Sequence, residues 1–140
     1  MGEYWFTSTL FEIEPGEDEE INPRRYGRQL AVWLKAKLEE RGYRIEPAIA
    51  EDWGRCLICS REPFMLWVGC GNVVDYDAAQ PGDAPPAKEN VVWHCFSTAE
   101  IPLLKRLFKR PDTSFALSKL DEDLRTILSQ EPKISLVAQP

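Results

Sequence analysis

Apolar residues fall along the chain in two rhythms. A period near 3.6 predicts helices: Leu30, Ala31, Leu34 and Leu38 form one stripe, and Leu117, Leu120, Leu124, Ile127 and Leu128 form another. The first helix is predicted to open at Asn22-Pro23, with Asn22 at the N-cap and Pro23 at the first helical position, and to stop at Gly42. The second stripe places a helix over 114–130. Alternating or continuous apolar runs predict strands over 4–14, 43–50, 55–60, 64–70, 91–96 and 133–138. In 4–14 the apolar parity changes across Ser8-Thr9, as at a bulge or in a strand buried on both faces. In 43–50, Tyr43, Ile45, Pro47 and Ile49 share a face, and Pro47 marks an edge strand. Asp52-Trp53-Gly54 reads as a turn, and Arg61-Glu62-Pro63 closes a hairpin. Ser97-Thr98-Ala99-Glu100 has the spacing of a capping box, which predicts a short helix through about Lys109, ended by Pro111. The segment DAAQPGDAPPAKEN, 77–90, reads as a mobile loop.

The predicted order is β-α-β-β-β-β-α-α-β. Closely spaced strands imply an α+β fold: a mainly antiparallel sheet of five to six strands, with the helices packed on one face. That leaves a problem on the other face. In 64–70, Phe64, Leu66, Val68 and Cys70 alternate with Met65 and Trp67; in 91–96, Val91, Trp93 and Cys95 alternate with Val92 and Phe96. Both faces are apolar, so the second needs a cover: the 77–90 loop, a strong curl of the sheet, a dimer partner or a ligand.

Length and charge narrow the function. At 140 residues the chain is expected to be one domain, 1–140. A net charge of −6 argues against a general nucleic-acid binder, which needs a basic footprint, and suits a basic protein partner. The N-terminal MGEYWFTSTLFEIE lacks the basic and apolar regions of a secretory leader, and no run of 18 apolar residues exists. The expectation is therefore a cytoplasmic protein with no membrane partner.

Candidate chemistry is sparse. Cys56-Leu57-Ile58-Cys59 has metal-site spacing, but on a strand positions three apart point to opposite faces, roughly 10 Å apart, so the pair can share neither a metal nor a disulfide. One hairpin register places Cys56 across from Cys70. His94 cannot easily serve Cys95, its neighbour on a strand, as a catalytic base. Glu17-Asp18-Glu19-Glu20 lacks the alternation of a calcium loop and reads as a solvated loop that favours the helix start. Arg24, Arg25 and Arg28 flank Tyr26 beside that loop and are expected to pair with it. Lys105, Arg106, Lys109 and Arg110 make a second basic patch, suited to a helix C-terminus. No catalytic set, metal ligands or cofactor site is assigned. Trp53, in a turn, is the best contact residue, because displayed tryptophans anchor interfaces.

The segments PGEDEEINPRRYGRQLAVWL, RGY, EDWG and PFMLWVGCGN follow one another in 15–72. In these the chain resembles a family of small, single-domain bacterial proteins with no assigned activity. The resemblance covers less than half of the chain. It implies a bacterial cytosolic protein and carries over no catalytic residue.

The resulting expectation is a non-enzymatic binding protein, of the kind that acts as an immunity-type inhibitor or regulatory partner through protein–protein contact. Its contact residues are Asp52, Trp53, Trp67, Trp93, Tyr26 and Arg25. The alternative is an enzyme or small-ligand binder that uses the uncovered sheet face as a pocket, with Glu51, Asp52 and His94. A homodimer that buries the same face is a third reading.

Overall fold

The computed structural model describes residues 2–75, 84–108 and 110–140. Six strands form one antiparallel sheet: β1 (Glu3–Ser8), β2 (Ile49–Glu51), β3 (Gly54–Ser60), β4 (Met65–Asn72), β5 (Trp93–Glu100) and β6 (Ile134–Val137). Their spatial order is β2-β3-β4-β5-β1-β6. The helices are α1 (Arg28–Glu40), α2 (Leu103–Phe108) and α3 (Ser114–Gln130). The order along the chain is the predicted β-α-β-β-β-β-α-α-β. The predicted mobile loop lies largely outside the described residues, which resume at Ala84 and form a short 3-10 turn at Lys88–Asn90.

The two apolar stripes make one core. Leu30, Leu34 and Leu38 of α1 and Leu120, Leu124 and Leu128 of α3 are fully buried against Phe6, Leu57, Val68, Trp93 and Cys95 of the sheet. Each such side chain contributes on the order of 1.5–3 kcal/mol. Tyr4 extends the contact, its hydroxyl donating to Asp121 of α3 at 2.8 Å. The predicted three-helix cover is a two-helix cover, because α2 contributes no buried side chain.

Four boundaries depart from the periodicity. First, β1 ends at Ser8, because the Ser8 hydroxyl donates to the Lys133 carbonyl and accepts from the Leu10 amide, turning the chain. Second, 43–48 stays outside the sheet, and β2 is a three-residue edge strand that follows Pro47. Third, the capping-box residues Ser97–Glu100 lie in β5, paired to β4 from Val68↔Ser97 to Met65↔Glu100. A long ladder outweighs a local cap there, and α2 waits until after Pro102.

The fourth departure is α1. Asn22 does not cap it; the Asn22 amide donates instead to the Asp52 carbonyl. Arg24 at φ 68 and Gly27 at φ 134 interrupt the helical path, and α1 begins at Arg28. The cap comes from Glu17, a member of the acidic run expected to be solvated. Its carboxylate is 1% exposed and accepts from the amides of Gly27 at 2.7 Å, Arg28 at 3.1 Å and Glu14 at 2.6 Å. Arg55, 4% exposed, lies 3.9 Å from Glu17 and 3.3 Å from Glu20. Arg28 pairs with Glu14 at 2.8 Å and with Glu20, as charge complementarity predicted.

Candidate functional site

Pairing parity sorts the side chains onto the two sheet faces. Phe6, Leu57, Val68, Cys70, Trp93 and Cys95 join the core beneath α1 and α3. Trp5, Cys56, Ile58, Trp67, His94 and Phe96 point the other way. Among the described residues, no helix covers this second face.

The second face is covered by its own rings. Trp5 of β1 stacks on its cross-strand neighbour His94 of β5, with centroids 4.7 Å apart and planes within 4°. His94 leads to Phe96 at 5.2 Å, and Phe96 to Trp67 of β4 at 5.5 Å and to Trp53 at 5.4 Å. Trp53 and Trp67 stack at 5.8 Å. Trp53 reaches the cluster from the two-residue turn between β2 and β3, and so points into the face.

Glycine makes room for this arrangement. Gly69 is paired with Phe96, and a Cβ on Gly69 would meet the Phe96 ring at 2.3 Å. The ring lies where the missing side chain would be. At Gly71, a Cβ would meet the Trp53 carbonyl at 3.0 Å, so the bare backbone admits the turn that carries Trp53. Glycine inside a strand marks such close approaches.

The open end of the cluster is a cavity of about 260 Å³ lined by Arg25, Trp53, Trp67, Gly71, Asn72, His94 and Phe96. Arg25 arrives from the loop before α1, and Asn72 places it. The buried Asn72 side chain accepts from the Tyr26 amide at 2.8 Å and donates to the Arg24 carbonyl at 2.9 Å, while the Asn72 carbonyl accepts from the Arg25 guanidinium at 2.9 Å. The polar groups of the rim are engaged: Trp67 Nε1 donates to Glu100 at 3.1 Å, and His94 Nε2 lies 3.1 Å from Glu3. Burial outweighs Glu3 and holds the His94 pKa below the ordinary histidine value.

Of the expected contact residues, Trp53, Trp67 and Arg25 converge on this cavity. Trp93 does not: its pairing with Phe6 puts it on the helix side, fully buried, edge-on to Phe11. Tyr26 is also a core residue, buried within the helix-side cluster. Asp52 is exposed at the tip of the turn and, like Glu51, does not line the cavity. Trp5, Asn72 and the glycine pair do not stand out in the sequence, where Phe96 is only one apolar residue of a strand. The glycines were the available signal.

The cysteines stay outside the site chemistry. Cys56 and Cys59 fall on opposite faces, because Cys59 packs against the helix-side core and Cys56 does not. The expected alternative of Cys56 opposite Cys70 is corrected: a bulge between Ile58 and Ser60 shifts the register, pairing Cys56 with Gly69 and Arg55 with Cys70. Cys70 faces Cys95 instead, and all four thiols are free. Burial pushes the Cys56 thiol up to about 11, Cys59 and Cys70 to about 12, and Cys95 well above its ordinary value. Such thiols are inert. Among the described residues, no group of three His, Cys, Asp or Glu side chains is placed to hold a metal ion.

This geometry defines an α+β domain class with an aromatic, glycine-floored sheet face. No family model, curated protein or solved structure matches the chain.

Proposed function

We propose that the protein is a non-enzymatic binding module of the bacterial cytosol, an immunity-type inhibitor or regulatory partner, and that its contact surface is the aromatic sheet face. The observation that carries this is the convergence of Trp53, Trp67, Phe96, His94 and Arg25 from four separate chain segments onto one half-exposed cluster. Rigid aromatic rings and an arginine are the side chains that dominate protein interfaces. Glu3, Glu51 and Glu100 share this face and are exposed, which supports a basic partner surface. The histidine supports contact over catalysis: it is stacked on Trp5 and bonded to Glu3, and Cys95 lies on the opposite face.

Affinity capture of a stoichiometric partner by the wild-type protein, compared with Trp53→Ala and Trp67→Ala, tests the proposal. Loss of an anchor ring is expected to weaken the complex about 30-fold or more, corresponding to at least ~2 kcal/mol, with the fold retained. Equal capture by both variants would remove this face from the interaction.

The cavity favours a second reading, a small-ligand binder. The rings and the Arg25 guanidinium suit a planar ligand that carries an anionic group. Saturable quenching of tryptophan fluorescence by such a ligand, abolished in Arg25→Ala, would distinguish this reading from a protein contact.

A further inference from the structure

The helix α2 is built the wrong way round for a water-facing surface. At about 100° per residue, Leu103, Leu104, Leu107 and Phe108 fall within one arc, and Lys105 and Arg106 fall on the opposite one. A helix of this kind on a domain surface normally turns its apolar arc inward. Here the cationic side makes the attachments. Lys105 binds the Glu62 carboxylate and the Pro63 carbonyl, and Arg106 Nε donates to the Ile101 carbonyl at 3.0 Å. The apolar arc therefore faces out: Leu103, Leu104, Leu107 and Phe108 are 70–87% exposed, and Phe115 at the start of α3 is 81% exposed. Beside them a cavity of about 450 Å³ is lined by Pro63, Leu104, Lys105, Phe108 and Pro111.

Charge identifies what covers this patch. Residues 103–110 hold Lys105, Arg106, Lys109 and Arg110 and no acid. The whole chain has 17 basic and 23 acidic residues, so outside this segment it carries 13 against 23, a balance of −10. One short segment that is both cationic and outwardly apolar stands on an otherwise acidic molecule. A symmetric pairing of two copies through this patch would set the exposed Arg106 and Arg110 of one against those of the other. An anionic bilayer instead satisfies both features: the apolar side chains enter the acyl boundary while Arg106 and Arg110, both exposed, reach the headgroups, and Lys105 stays paired with Glu62.

We infer that α2, with Phe115, is an interfacial anchor that seats the protein on an anionic phospholipid surface. No helix among the described residues is long and apolar enough to cross a membrane, and the expectation of no membrane partner followed from the lack of such a segment. Lying on a surface needs only a few apolar side chains and flanking cations, so that expectation does not reach this patch. The anchor is independent of the aromatic-face proposal.

Flotation of the full-length protein with vesicles of phosphatidylglycerol and phosphatidylcholine, against phosphatidylcholine alone, tests the inference. Binding to the anionic vesicles is expected, with at least a tenfold loss on neutral vesicles or in 0.5 M salt, since each cation near such a surface is worth about fivefold in partitioning. The double variant Leu104→Asp/Phe108→Asp should lose binding at least tenfold with an unchanged melting temperature, because both side chains are already in solvent. The wild-type salt series decides the matter without any variant. Absence of flotation with anionic vesicles, or equal flotation with neutral ones, overturns the anchor. So does a wild-type dimer in light scattering that becomes monomeric in the double variant, which would assign the patch to a second copy.

Discussion

Replacing Gly69 with alanine tests the aromatic face with a single methyl group. The added Cβ would sit 2.3, 2.6 and 2.9 Å from three carbons of the Phe96 ring. Ordinary carbon contacts are about 3.5–4.0 Å, so the ring must withdraw by roughly 1 Å or swing to another rotamer. It is held by Trp53, Trp67 and His94 at 5.2–5.5 Å between centroids, so withdrawal disturbs each of these contacts. Overpacking of this kind costs about 1–3 kcal/mol, and each aromatic contact is worth about 0.5–1.5 kcal/mol. The gain from removing a glycine from a strand offsets about 0.5–1 kcal/mol. The net expectation is a loss of about 2 kcal/mol, or a fall in melting temperature of roughly 6–8 °C for a chain of this size. Urea denaturation measures the stability, and near-ultraviolet circular dichroism reports the tryptophan packing. The mechanism is specific to Phe96, so a double-mutant cycle isolates it: in a Phe96→Ala background the Gly69→Ala cost should fall by at least ~1 kcal/mol. A Gly69→Ala protein within about 0.5 kcal/mol of wild type, with an unchanged aromatic spectrum, would refute the seating of Phe96 over Gly69.

Two further outcomes follow from buried groups. Glu17→Ala leaves the Gly27 and Arg28 amides without their acceptor and removes the carboxylate beside buried Arg55. Unfolding free energy in urea should fall by about 3–5 kcal/mol, nearer the lower end because Glu20 remains by Arg55, and a loss under about 1 kcal/mol would show that Glu17 is not the cap. The raised thiols are protonated at pH 8, so native protein should react with a disulfide reagent at least tenfold more slowly than a free cysteine, and all four thiols should titrate once denatured. Rapid labelling of Cys56, Cys70 or Cys95 in the native state would contradict their burial.

The stripes of α1 and α3, the β3–β4 hairpin and the element order are visible in the sequence because each rests on short-range periodicity. What is not visible depends on long-range pairing. Val91 to Phe96 is apolar on both parities, so nothing local says whether Trp93 or Phe96 faces the helices. The Phe6↔Trp93 pairing decides it, and joins strands that are far apart in the chain. The same blindness hides Glu17. An acidic run reads as solvated, and only the positive φ at Arg24 and Gly27, which sets back the start of α1, turns one of its carboxylates inward as a cap. Trp53, Trp67 and Arg25 were legible in the sequence only as bulky or charged side chains at turn, strand and helix-entry positions. Their common cavity was not, because Asn72 assembles it from the loop before α1 and the end of β4.

The turn that carries Trp53 and the helix α2 approach β4 at opposite ends, although the Trp53 ring reaches back to stack on Trp67. Trp53 crosses near Gly71, whereas Lys105 of α2 binds Pro63 just before the strand begins. Six residues of strand separate Met65 from Gly71, roughly 20 Å at 3.3 Å per residue. The link between the two ends is Glu100, which accepts from Trp67 and lies three residues before α2 begins. If one partner used both surfaces, Glu100 is where it would feel both, and Trp53→Ala and Leu104→Asp/Phe108→Asp would then weaken a single complex. On the charge argument they separate cleanly instead. The aromatic face carries Glu3, Glu51 and Glu100 and suits a basic partner, whereas α2 carries cations and suits an anionic surface, so one ligand of uniform charge cannot satisfy both.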